Sequence, residues 1–249
     1  MKTLLFVLLL QSFLLSVAVE KTEDELLAEK CGQILRAAKR QTSYDSFAEM
    51  VLAFKHDATT LANENGLKTQ VGPLIKNATE RFLSLPESDI LGKKLMEFIE
   101  TLKQIRKILI SKADAVELLP FDIPIHYLLI LCKENGDILG SLQKIEQVSH
   151  LNGTMLTNRF INLFTTSYQL GEYLNFNPSE EMEKVIDAAF KLDVTNILGK
   201  PYDDFIASIR GLRNAFIDHK ANPNTLERLD VFVRILEKTK NSGQNVTPK

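Results

Sequence analysis

Hydrophobic positions recur at three-four spacing through nearly the whole chain, and the polar stretches between them end each run with a stop signal. Thr22 opens "TEDE" with Glu25 three residues on, a capping box ahead of Leu27, Cys31, Ile34 and Ala38. Tyr44, Phe47, Val51, Phe54, Ala58 and Leu61 repeat the spacing, and "NENG" ends that helix with Gly66 as its C-cap. A shorter helix around Pro73 carries Leu74, Ala78 and Phe82 and stops at Pro86. The longest periodic stretch runs through Leu91, Leu95, Phe98, Leu102, Ile105, Leu109 and Val116, widened by Ile90, Ile99, Ile108 and Ala113. A stripe this wide predicts a helix packed inside a bundle, not a coiled-coil seam. Pro120 and Pro124 then bracket a turn.

The segment from Ile125 to Cys132 is apolar nearly all round and predicts the most buried helix. Its pattern survives past Gly136 to Ile138, Leu142 and Ile145, which fits either one kinked helix or two meeting at "ENGD". Further helices are expected around Phe160–Leu174, Met182–Leu192, Tyr202–Ile217 and Leu226–Leu236, with Asn177 capping the second of these and Pro178 in its first turn. No strand-like alternation extends beyond a few residues. "YDSF" at Tyr44–Phe47 and "YDDF" at Tyr202–Phe205 echo one another, but their flanks do not, and no repeat of fixed period is visible. The expected fold is all-α, an irregular bundle or array of about eight or nine amphipathic helices.

The amino terminus breaks the rhythm. Leu4–Leu15 is a mostly apolar block of about twelve residues behind Lys2, short of the roughly 20 residues that span a bilayer, and Ser16 and Ala18 fit a cleavage site. Residues 1–18 therefore read as a signal peptide, residues 19–240 as one helical domain and residues 241–249 as a disordered tail. The expected product is secreted and extracellular, with no transmembrane segment in the mature chain. Export changes the reading of two residue types. Cys31 and Cys132 are the only cysteines, so they form a candidate disulfide, worth roughly 4.7 kcal/mol for a loop of about a hundred residues in the chain-entropy model. The alternative is that both are small apolar core residues. Asn77, Asn152 and Asn245 each head an N-x-Thr triplet and are candidate N-glycosylation sites.

Composition narrows the function classes. A formal net charge of −2 leaves no footprint for nucleic acid, and 45% hydrophobic residues are enough to bury a substantial core. The four histidines, His56, His126, His150 and His219, fall in no metal-ligand spacing, and the cysteines form no CxxC pair. Neither a nucleophile elbow nor a glycine-rich phosphate loop is present. His56–Asp57 and Asp218–His219 are sequence neighbours, which on a helix point about 100° apart and make no ready dyad. The sequence thus calls for no catalytic residue, cofactor or metal. His126 and Tyr127, polar groups inside an apolar helix, are candidates to line a ligand cavity. Lys103, Arg106, Lys107 and Lys112 concentrate positive charge, and Phe160, Phe164, Tyr168, Tyr173 and Phe176 read mainly as core. The expected function is non-catalytic binding of an extracellular protein partner. Carriage of a small apolar ligand, such as a fatty acid, between helices is the alternative.

Overall fold

The computed structural model describes residues 21–39, 44–134, 136–149, 155–196 and 199–244. The expected leader, residues 1–18, and His150, Asn152 and Asn245 lie outside the described residues. Ten α-helices and no strand occur among the described residues: α1 (Glu23–Ala37), α2 (Tyr44–Glu64), α3 (Lys68–Leu83), α4 (Lys93–Leu109), α5 (Leu119–Leu131), α6 (Ile138–Val148), α7 (Leu156–Tyr173), α8 (Ser179–Phe190), α9 (Lys200–Asp218) and α10 (Glu227–Gln244). The all-α class holds, and the helix count exceeds the expected eight or nine.

The extra helix comes from a break after Leu131. Cys132 turns extended (ψ 138°), Lys133 N–H donates to the Leu91 carbonyl at 2.8 Å, and Gly136 takes φ +129°, a conformation that excludes residues with a Cβ. Asp137 then caps α6 by accepting from Gly140 N–H at 3.0 Å. "ENGD" therefore separates two helices. The long stripe before it is also shorter than its hydrophobic pattern. α4 ends at Leu109, Val116 lies in a single 3-10 turn (Val116–Leu118), and α2 is the longest helix among the described residues. Pro120 and Pro124 do not bracket a turn. Pro120 enters the first turn of α5, where no N–H is needed, and Pro124 lies inside the helix. At the far end α10 continues four residues past Lys240, into the stretch expected to be a tail.

Local signals explain the other boundaries. Thr22 and Glu25 form the expected reciprocal box, with Thr22 N–H donating to Glu25 Oε2 at 2.8 Å and Glu25 N–H to Thr22 Oγ1 at 3.3 Å. α2 ends in a Schellman turn at Gly66 (φ +69°), where Leu67 N–H reaches the Ala62 carbonyl at 2.7 Å. The same turn recurs with Asn175 (φ +52°) after α7 and Lys220 (φ +66°) after α9.

Helix α5 is the hub. Eleven of its thirteen residues are buried, and it packs against α2, α4, α6, α7 and α8. Helices α1–α4 gather on one side of it and α6–α10 on the other. Phe121 of α5 meets Phe54 edge-on at 5.2 Å between centroids, and Tyr127 tilts against Phe47 at 5.3 Å. Each fully buried side chain of this size contributes about 1.5–3 kcal/mol through removal from water, which is how one short helix joins both halves.

Candidate functional site

Two faces of α5 carry polar groups to different places. Asp122 and His126, four residues apart, share one face, and Tyr127 stands about 100° round from His126. On the first face Asp122, 1% exposed, receives Arg106 of α4 through Nε to Oδ1 and through Nη2 to Oδ2 at 3.1 Å. The Asn177 amide donates to Asp122 Oδ2 at 2.8 Å and to the Ala115 carbonyl at 2.5 Å. Asn177 Oδ1 in turn accepts from Ser179 N–H at 3.0 Å and Ser179 Oγ at 2.7 Å, while Pro178, expected at the first helical position, holds the N-cap place and α8 starts one residue later, at Ser179. Tyr168 Oη lies 3.3 Å from Ser179 Oγ and 2.5 Å from His126 Nδ1.

Run in one direction, this chain satisfies every member. The Ser179 hydroxyl hydrogen is committed to Asn177, so Ser179 accepts from Tyr168, and Tyr168 accepts from His126 Nδ1–H. The network thereby assigns His126 as the neutral Nδ1–H tautomer. Burial is the main cause of its lowered pKa, about 4, with the Asp122 charge pulling the other way. Burial also raises the Tyr168 phenol well above its usual range. For Arg106 burial disfavours the charge, yet its hydrogen bonds to Asp122 and that carboxylate's charge hold its pKa above the ordinary value.

The second face opens on a cleft of about 740 Å³ bounded by α1, α5, α6 and α7. Tyr127, Leu131, Leu139 and Ile161 give it an apolar floor, while Lys39, Lys133, Gln143 and Asn158 stand on its rim. Asp137 and Glu146 add negative charge to that lining. Of the two residues expected to line a cavity, Tyr127 does so here and His126 belongs to the buried chain.

The remaining candidates are dispersed. His56 is exposed, with Nδ1 3.4 Å from Asp57 Oδ1. His219 accepts or donates no side-chain bond of catalytic kind: its Nδ1 meets the Ala215 carbonyl at 2.8 Å, and its ring stacks on Phe176 at 3.8 Å. Cys31 and Cys132 are both free thiols, and both are buried. Desolvation raises Cys31 to about 12 and Cys132 upward as well, so neither is an activated nucleophile. Asn77 is exposed on α3, whereas Thr79 of its triplet is buried and donates to the Ile75 carbonyl at 3.1 Å. The basic cluster of α4 divides: Arg106 turns inward to Asp122, and Lys103 pairs with Glu183 at 3.3 Å. Phe160, Phe164 and Tyr168 are core, but Tyr173 is 83% exposed. Among the described residues no group of three or more His, Cys, Asp or Glu side chains is placed to hold a metal ion.

Asp122, Asn177, Ser179 and Tyr168 were not singled out from sequence as one cluster. The usable signal was Asp122 four residues before His126 in an otherwise apolar run, which predicts a shared polar face. Among the described residues no helix is long and apolar enough to cross a membrane. No protein-family model, no curated protein and no solved structure matches this chain.

Proposed function

We propose that this chain is a secreted, non-catalytic binding protein that holds a segment of an extracellular protein partner in the Tyr127 cleft. The observation that carries this reading is the form of the cleft, an apolar floor beneath a polar and charged rim. Interfaces that must be exposed in the free protein have this anatomy, with an apolar centre and a wet polar edge. Extracellular action rests on the leader read from residues 1–18.

Carriage of a small apolar ligand is the second reading, favoured by one observation: about 740 Å³ falls within the roughly 300–1,000 Å³ usual for small-molecule sites. An apolar cargo is best held by a mostly apolar wall, and the charges of Lys39, Lys133, Asp137 and Glu146 in the lining support the partner reading over it. Native mass spectrometry of the full chain secreted from eukaryotic cells separates the two. A clean protein mass, together with capture of one extracellular protein that Ile161→Glu abolishes, supports partner binding. A lipid-sized adduct released on denaturation supports the carrier. Retention of the chain in membranes with its leader intact sinks both.

A further inference from the structure

A second groove, of about 500 Å³, adjoins the Tyr127 cleft at Asn162 and lies between α7 and α10, lined by Arg159, Asn162, Leu163, Glu227, Arg228 and Val231. Its charge pattern differs from that of the neighbouring helix contact. α10 is laced to α9 by three ion pairs of opposite sign, Arg213–Asp230, Arg210–Glu237 and Lys240–Asp203. Toward α7 it presents Arg228 to a groove that already holds Arg159. The Arg228 guanidinium donates to the Thr166 hydroxyl at 3.2 Å, and the Arg159 guanidinium has no hydrogen-bond or ion-pair partner among the described residues.

Two arginines lining one groove, with a single carboxylate to offset their charge, favour an anion that both can address. A carboxylate fills one guanidinium fork. A phosphate offers oxygens enough for two, and the Asn162 amide stands beside them as a further donor. Leu163 and Val231 leave an apolar surface that bare phosphate would not cover, and the volume exceeds what one ion fills. Glu227 opposes a second negative group on the ligand. We propose that this groove binds a phosphate monoester, with Arg159 and Arg228 gripping the phosphate and the organic part lying on Leu163 and Val231. The groove adjoins the Tyr127 cleft along α7 and shares Asn162 with it, but its arginines, Arg159 and Arg228, belong to the groove, and the proposal stands whether or not that cleft takes a partner.

The test follows the arginine Nε–H resonances of the full chain by NMR during titration with phenyl phosphate, inorganic phosphate and acetate. Saturable shifts at Arg159 and Arg228 are expected, with phenyl phosphate tighter than inorganic phosphate and acetate weakest. Arg159→Gln and Arg228→Gln should each weaken phenyl phosphate about tenfold or more. Arg159→Lys, which keeps the charge but loses the fork, should fall between, and Glu227→Gln should tighten binding severalfold. Absence of saturation, an affinity that neither glutamine variant changes, or acetate matching phosphate overturns the proposal. Binding to phosphatidylcholine vesicles containing phosphatidic acid, without any response to phenyl phosphate, overturns it in favour of a lipid surface.

Discussion

At the scale of single residues, the buried chain from Arg106 to His126 makes the sharpest claims. Asp122→Ala removes the carboxylate that both Arg106 and Asn177 address, leaving a guanidinium uncompensated. The expected loss is about 3 kcal/mol in urea unfolding, against about 1–3 kcal/mol for Tyr168→Phe, which strands a neutral imidazole. The pH dependence has a definite sign. His126 titrates near 4 in the fold and about 6.5 when unfolded, so between those values the unfolded chain binds the extra proton. Stability is full above about pH 6.5, declines as pH falls toward 4, and is flat below, with about 3 kcal/mol at stake. His126→Leu should flatten the fall in the urea midpoint over that window. A variant with the same slope as the parent would place the titration in some other group.

At the scale of elements, boundaries follow from backbone conformations that only certain residues adopt. Gly136 holds φ +129°, which side chains with a Cβ rarely adopt, while a Cβ there would make only ordinary contact with the Phe190 carbonyl at 3.5 Å. Gly136→Ala should therefore cost about 1–3 kcal/mol, and circular dichroism melting measures it. Thr22→Ala, which removes one arm of the capping box, should cost about 1 kcal/mol. In the opposite direction, Lys220→Gly relieves a left-handed lysine and should raise the melting midpoint by a few degrees. The helical faces, the Thr22 cap and the Gly66 stop were legible in sequence because each rests on contacts within a few residues. The end of α4 and the start of α5 were not. Periodicity continues through Ala113 and Val116 because those residues are at least partly buried, so apolar spacing alone does not show where the backbone leaves the helix. The polar chain was illegible for a related reason: Arg106, Tyr168 and Asn177 reach Asp122 and His126 only after four separate segments have packed.

At the scale of the molecule, α5 determines how the halves behave. It contacts helices on both sides, and two aromatic contacts, Phe54–Phe121 and Phe47–Tyr127, lie on one of its flanks. Leu128→Ala, at a fully buried α5 position, should cost about 2–5 kcal/mol. Hydrogen exchange should show the slowest amides of α2 and α9 losing protection together. Loss confined to one helix would show two independently stable units.

One consequence concerns time rather than energy. In an exported chain, sugar transfer to Asn77 requires an accessible triplet, yet folding sequesters Thr79 and commits its hydroxyl to Ile75 within α3. Transfer and helix closure then compete while the polypeptide is being made. Were the chain exported, any glycan occupancy at Asn77 would report how quickly this region closes, and a helix-weakening change in α3 should raise it, as mass spectrometry of the secreted chain would measure.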